Sequence, residues 1–125
     1  MLSAYLSMLP ALAVSAIAAV YDLRSWRIPN WLSLGALGAA PVAHFVWGAA
    51  TQGFHQGALA LGWSLAGAAI CAVVPFLCWR SGTFGGGDVK LLAALGALCL
   101  PKVGVTIEFD AMVVGVIFAF GRLTW

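Results

Sequence analysis

From Leu2 to Tyr21 the chain carries no charged residue, and the same holds from Trp31 to Ala50 and from Ala58 to Trp79. An α-helix needs roughly 17–25 apolar residues to cross about 30 Å of hydrocarbon. Inside a bilayer the backbone must satisfy its own hydrogen bonds, which commits each of these runs to a helix. A fourth, shorter run covers about Asp88 to Leu100 and stops at Pro101, and a fifth covers about Asp110 to Trp125. Only 8% of the 125 residues are charged and 63% are hydrophobic, whereas a soluble domain has about a quarter of its residues charged. So few charges could not cover a surface in water. The expectation is an all-α, polytopic transmembrane bundle of about five helices, with residues 1–125 forming a single membrane-embedded domain.

The first twenty residues do not read as a cleaved signal peptide. No basic residue precedes Arg24, and the run exceeds an h-region of about 7–15 residues. Polar breaks fall at DLRSWRIPN (Asp22 to Asn30), at TQGFHQG (Thr51 to Gly57) and from Arg80 to Gly87. Short cytoplasmic loops are enriched in Lys and Arg. Arg24, Arg27, Arg80 and Lys90 flank the first and third breaks, Arg122 returns to that side, and Lys102 alone lies opposite. The N-terminus is therefore expected outside, with the 22–30 and 80–90 loops in the cytoplasm. A net charge of +2 gives no clustered basic face for nucleic acid. Cys71, Cys78 and Cys99 form no CxxC pair and are too few for a four-cysteine zinc site. They read as small buried hydrophobes, and no metal ligand set is expected. The stretches GALGAAP (Gly35 to Pro41) and GALALGWSLAGAA (Gly57 to Ala69) suit close helix packing within the bundle.

Two acids stand out. Asp88 follows Gly85, Gly86 and Gly87 at the start of the fourth run, and no other carboxylate lies between residues 23 and 107. An acid at a helix start is favoured by the exposed amides there, so a first-turn acid is the structural reading. The three glycines add another, because they remove every side chain that would obstruct a bound peptide backbone. They could also cradle a phosphate, although the GxxxxGK[ST] form of a nucleotide loop is absent. Lys90 reads as a snorkelling lysine, or as a positive charge biasing which acid holds a proton. Asp22 ends the first helix, where the helix dipole disfavours an acid; the structural reading pairs it with Arg24 or Arg27. Ile28, Pro29 and Asn30 read as a rigid helix start, with Pro29 in the first turn and Asn30 satisfying orphan amides.

Topology puts both acids at one membrane boundary, although 66 residues separate them (88 − 22). Packing of the first helix on the fourth would bring them together. Two carboxylates held close share a proton; the ionised one can then activate water while the protonated one polarises a peptide carbonyl. That chemistry needs no metal, cofactor or covalent intermediate. No serine–base or cysteine–histidine pair offers itself, and His44 and His55 read as interfacial residues towards the opposite side.

The pattern D-x5-IPN (Asp22, Ile28, Pro29, Asn30) followed by GxGDxK (Gly85, Gly87, Asp88, Lys90) resembles the type IV prepilin peptidase family, in the GxGD class of intramembrane aspartyl proteases. The resemblance spans roughly residues 1–101. It implies an aspartic endopeptidase of the bacterial inner membrane that clips the short, positively charged leader from prepilins at the cytoplasmic face, typically after a glycine. By the same resemblance Asp22 and Asp88 are the catalytic pair, Gly85, Gly86 and Gly87 admit the substrate backbone, and Lys90 is an accessory substrate-binding residue. Larger members carry an added domain with paired CxxC motifs and also methylate the new N-terminus. This sequence has neither those pairs nor a polar insert between its first two helices, so it resembles the peptidase-only members that serve Flp/Tad-type pili. The small members form about six helices against about five here, which points to a shortened form or a fragment. The expected partners are a prepilin substrate and the bilayer; no oligomeric state is implied. Two other readings compete: a non-catalytic membrane subunit or cation-binding bundle, disfavoured because both acids lie at one boundary rather than along a path, and an enzyme acting on lipid phosphates, which would want more lysines around the glycines.

Overall fold

The computed structural model of the chain describes residues 2–124, and these contain helices only. Four are present: α1 (Leu2–Ser25), α2 (Asn30–Gln52), α3 (Phe54–Arg80) and α4 (Gly86–Leu123). All four are long and apolar enough to cross a membrane. Connections are short. Gly53 alone joins α2 to α3 with φ of 96°, a left-handed backbone that glycine adopts without steric cost. The two helices then touch backbone to backbone, since a Cβ on Gly48 would lie 2.9 Å from the Cα of Gly57. The most extensive interface joins α3 to α4, and α1 packs more on α4 than on its neighbour α2.

The fourth helix contains a sharp reversal. Leu100 has φ of 65° and ψ of 165°, a region close to glycine-only. The proline that follows favours the extended ψ. The chain folds back there, because a Cβ on Gly104 would lie 2.9 Å from the Cα of Gly96, whereas residues eight apart (104 − 96) in a straight helix are about 12 Å apart. Helix α4 is thus two arms, residues 86–99 and 101–123, which accounts for the expected count of about five. The second arm begins at Pro101, not near Asp110. Lys102, Glu108 and Asp110 mimic a polar break in the sequence, yet the backbone through them is helical and Glu108 is buried against Cys71.

At the reversal, Pro101 has no N–H to offer the carbonyl of Ala97. Counted from Gly86, that carbonyl lies about 17 Å along the arm, well inside about 30 Å of hydrocarbon. There an unpaired carbonyl costs several kcal/mol. The buried hydroxyl of Ser64 donates to it at 2.8 Å, and Nε2 of His44 donates to the next carbonyl, Leu98, at 3.0 Å. The interfacial reading of His44 is therefore corrected: the ring is half-buried inside the bundle, held there by a carbonyl that the broken helix leaves free. Ser64→Ala should lower stability by about 1–3 kcal/mol, read as earlier thermal unfolding in detergent. Ser33→Ala is the control, since the Ser33 hydroxyl is fully buried and has no partner among the described residues.

The small residues divide into two groups. Gly57, Gly67, Gly96 and Gly104 sit at helix crossings where a Cβ would strike a neighbour, whereas Gly35, Gly38 and Gly62 have open space around them. Within GALGAAP the packing is carried by Ala40 and Pro41, both buried, rather than by its glycines. Cys71 and Cys99 are buried as expected, and Cys78 is half-buried.

Candidate active site

Among the described residues of α1, Ala11 and Ala18 are buried, and Asp22 follows Ala18 by four residues, on the same helix face. On the first arm of α4, Asp88, Leu92, Leu95 and Cys99 recur at i, i+4, i+7 and i+11, again one face. Ala11 packs in one cluster with Leu92, Leu95 and Cys99. The two stripes therefore meet, running in opposite senses, and each ends in its aspartate. Small alanines on α1 let the two backbones approach, which brings the carboxylates to the same end of the bundle.

There they open into a cleft of about 490 Å³. Residues 22 and 26–30 line one side and residues 85–88 the other. Both aspartates are exposed to it, and they are near enough for the charge on Asp22 to act on Asp88. Asp88 lies in the first turn of α4, and its Oδ2 accepts the N–H of Gly85 at 3.3 Å. The first-turn role read from the sequence is therefore real, and it coexists with a place in the cleft. Among the described residues no group of three or more His, Cys, Asp or Glu side chains is placed to hold a metal ion.

The three glycines differ. A Cβ on Gly85 would come within 3.3 Å of Oδ2 of Asp88, crowding the carboxylate itself. On Gly87 it would rest against Cβ of Ile28 at 3.4 Å, and on Gly86 it would make ordinary contact with Nε1 of Trp79 at 3.6 Å. If the cleft is catalytic, Gly85→Ala should lower turnover about tenfold or more by displacing the acid. Gly86→Ala should stay within about twofold of wild type, because its neighbour is ordinary van der Waals contact. Steady-state rates of the two variants check this difference.

The first loop is built as a brace. Ile28 packs beneath Gly87. Pro29 is extended (φ −65°, ψ 136°) and is the cap residue of α2 rather than part of its first turn; its carbonyl accepts the N–H groups of Leu32 and Ser33 at 3.1 and 3.4 Å. Asn30 does not cap α2. Its Oδ1 instead accepts Nζ of Lys90 at 3.0 Å, because a charged donor outcompetes neutral amides for that oxygen. Lys90 is thereby drawn out of the cleft lining and ties the start of α2 to the start of α4, joining the two sequence motifs directly.

Arg27, read from the sequence as a partner for Asp22, lines the cleft. Trp26, which escaped the sequence reading, lines it too, and its φ of 55° is left-handed. That conformation costs a side-chain-bearing residue about 1–2 kcal/mol. The Trp26 N–H donates to the carbonyl of Asp22 at 2.9 Å and closes the last turn of α1. No local signal marks Trp26, since glycine is the usual residue at such a helix end.

Searches of curated proteins and of solved structures returned no match. A family model does match, that of the type IV leader peptidase family, over residues 9–120. This stretch holds both aspartates, the glycine loop and the reversal at Leu100, and the chain belongs to the type IV leader peptidase family.

Proposed function

We propose that this chain is an aspartic endopeptidase that removes the short leader from prepilin-like proteins at the cytoplasmic face of the bacterial inner membrane, with Asp22 and Asp88 as its catalytic pair. The observation that carries this reading is the convergence of two carboxylates, from separate helices, on one open cleft at one end of an apolar bundle. Of the two, the ionised carboxylate takes a proton from water, which adds to the scissile carbonyl carbon. The protonated one donates to the carbonyl oxygen. The tetrahedral centre collapses, the C–N bond breaks, the proton held by the first acid goes to the departing amine, and the second acid recovers its proton from the hydroxyl as the carbonyl reforms. The glycine wall from Gly85 to Gly87 leaves room for the substrate main chain, while the substrate's own apolar helix stays in the bilayer. Lys90 acts through Asn30 as a positioning residue.

The reading is peptidase alone, without N-methyltransferase activity. It is supported by the connection between α1 and α2, which is only residues 26–29 and leaves no insert there. The test is co-expression with an Flp-type prepilin, followed by mass determination of the pilin recovered from membranes. The expected product has lost its leader and carries an unmethylated N-terminus. Intact prepilin beside well-folded enzyme would overturn the peptidase reading, and a methylated product would overturn the restriction to peptidase.

A further inference from the structure

We infer that Trp26 is a substrate-holding residue, its indole forming the apolar wall against which an extended peptide rests as it passes the two carboxylates. The inference rests on the peptidase reading. Its starting point is a mismatch between residue and backbone. Position 26 has a left-handed φ of 55°, where glycine meets no steric objection and a bulky residue is an outlier. The largest side chain of all occupies it. Such outliers persist where function needs them.

The side chain gives the fold nothing visible in return. It is 82% exposed, although it lines the cleft together with Asp22 and Asp88. By contrast, Ile28 of the same connection packs beneath Gly87, and Asn30 at the start of α2 holds Lys90. Some aromatic residues nearby pair with one another, Tyr21 edge-on to Trp31 and Phe76 against Trp79, at centroid distances of 6.2 and 5.6 Å. Among the described residues no such pair includes Trp26. Across the cleft, the segment from Gly85 to Gly87 offers only backbone. A peptide lying there has main-chain groups on one side and, on the other, a flat indole face beside Asp22, Arg27, Ile28, Pro29 and Asn30. An indole suits that place, because it supplies large contact area from a rigid group. The ligand class is an extended peptide bearing an apolar side chain beside the scissile bond.

The experiment compares wild type with Trp26→Gly and Trp26→Phe, in detergent, against a fluorescent prepilin-derived peptide spanning the cleavage site. Three quantities are read: the melting temperature without peptide, KM and kcat for cleavage, and Kd for the same peptide on the Asp88→Asn background. Trp26→Gly should melt no lower than wild type, since it relieves the backbone. Its KM and Kd should each rise about tenfold, the loss expected when one aromatic anchor is truncated, with kcat within about twofold. Trp26→Phe should recover most of the binding. Cleavage with unchanged KM and Kd in Trp26→Gly overturns the inference and leaves the peptidase reading standing. Weaker binding joined to a lower melting temperature, with no recovery in Trp26→Phe, also overturns it and makes Trp26 structural. Trp26-dependent binding without cleavage by the wild type supports the wall and sinks the peptidase reading. Neither binding nor cleavage by folded wild type overturns both.

Discussion

Asp22→Asn and Asp88→Asn should each reduce leader removal by about a hundredfold to ten-thousandfold, the range expected when one member of an acid–base pair is lost. Asparagine has nearly the size and shape of aspartate but neither accepts a proton from water nor donates one as an acid. The substitution is gentle on the fold. In Asp88→Asn the amide oxygen can still accept the Gly85 N–H that Oδ2 accepts at 3.3 Å, so the start of α4 keeps its cap. Asp22 is exposed in the cleft, and an amide there removes charge without opening a cavity. Both variants should accumulate in the membrane and melt like wild type. Under the proposed mechanism the two acids act as a unit, so the double variant should be no slower than either single one. Cleavage rates measured in membranes, beside blots for protein level, decide the matter. Persistence of cleavage in both single variants would remove the carboxylate mechanism altogether.

The second large effect concerns stability rather than chemistry. Gly67, Gly96 and Gly104 bring α3 and both arms of α4 to one crossing, with Cys71 wedged among them. A Cβ on Gly96 would stand 2.7 Å from Cβ of Cys71 and 2.8 Å from its Sγ, and would also strike the carbonyl oxygen of Gly67. Backbone cannot rotate away as a flexible side chain can. Gly96→Ala should therefore destabilise by about 1–3 kcal/mol, the usual scale of overpacking. Gly96→Val, with two further methyl groups, should fail to accumulate at all. Gly35→Ala and Gly38→Ala provide the contrast, since nothing lies within 4 Å of either added Cβ; both should behave like wild type. Detergent melting curves and membrane yield report the difference. Equal tolerance at Gly96 and Gly35 would mean that the crossing is looser than its geometry implies.

Much of this arrangement was legible in the residues. Three uncharged runs of membrane length, the basic loop residues, the proline that ends the fourth run and the two isolated acids mark the helices and the end of the bundle where Asp22 and Asp88 stand. Which faces meet was not legible. Nearly every position of α1 and α4 is apolar, so no stripe separates core from lipid, and the registers Ala11–Ala18–Asp22 and Asp88–Leu92–Leu95–Cys99 become visible only through packing. The reversal at Leu100 was hidden for a different reason. Glu108 is buried among helices, yet on paper it looks like the rim of a loop. Pro101 did carry an unused clue. A proline at membrane depth strands a carbonyl, and the stranded group must find a polar side chain in a neighbouring run. Ser64 and His44 are two of the few such groups there.

The reversal also bears on how exactness is shared out along the short arm that carries Asp88. Its far end is pinned by Ser64, by His44 and by the glycine crossing, so the height of the carboxylate is metered from the depth of the bundle as well as from the loop beside it. The near end is held as well, by the Gly85 N–H on Oδ2 of Asp88 and by Lys90 on Asn30. A change about 20 Å from the cleft, measured along that helix, therefore reaches Asp88 as a shift in height.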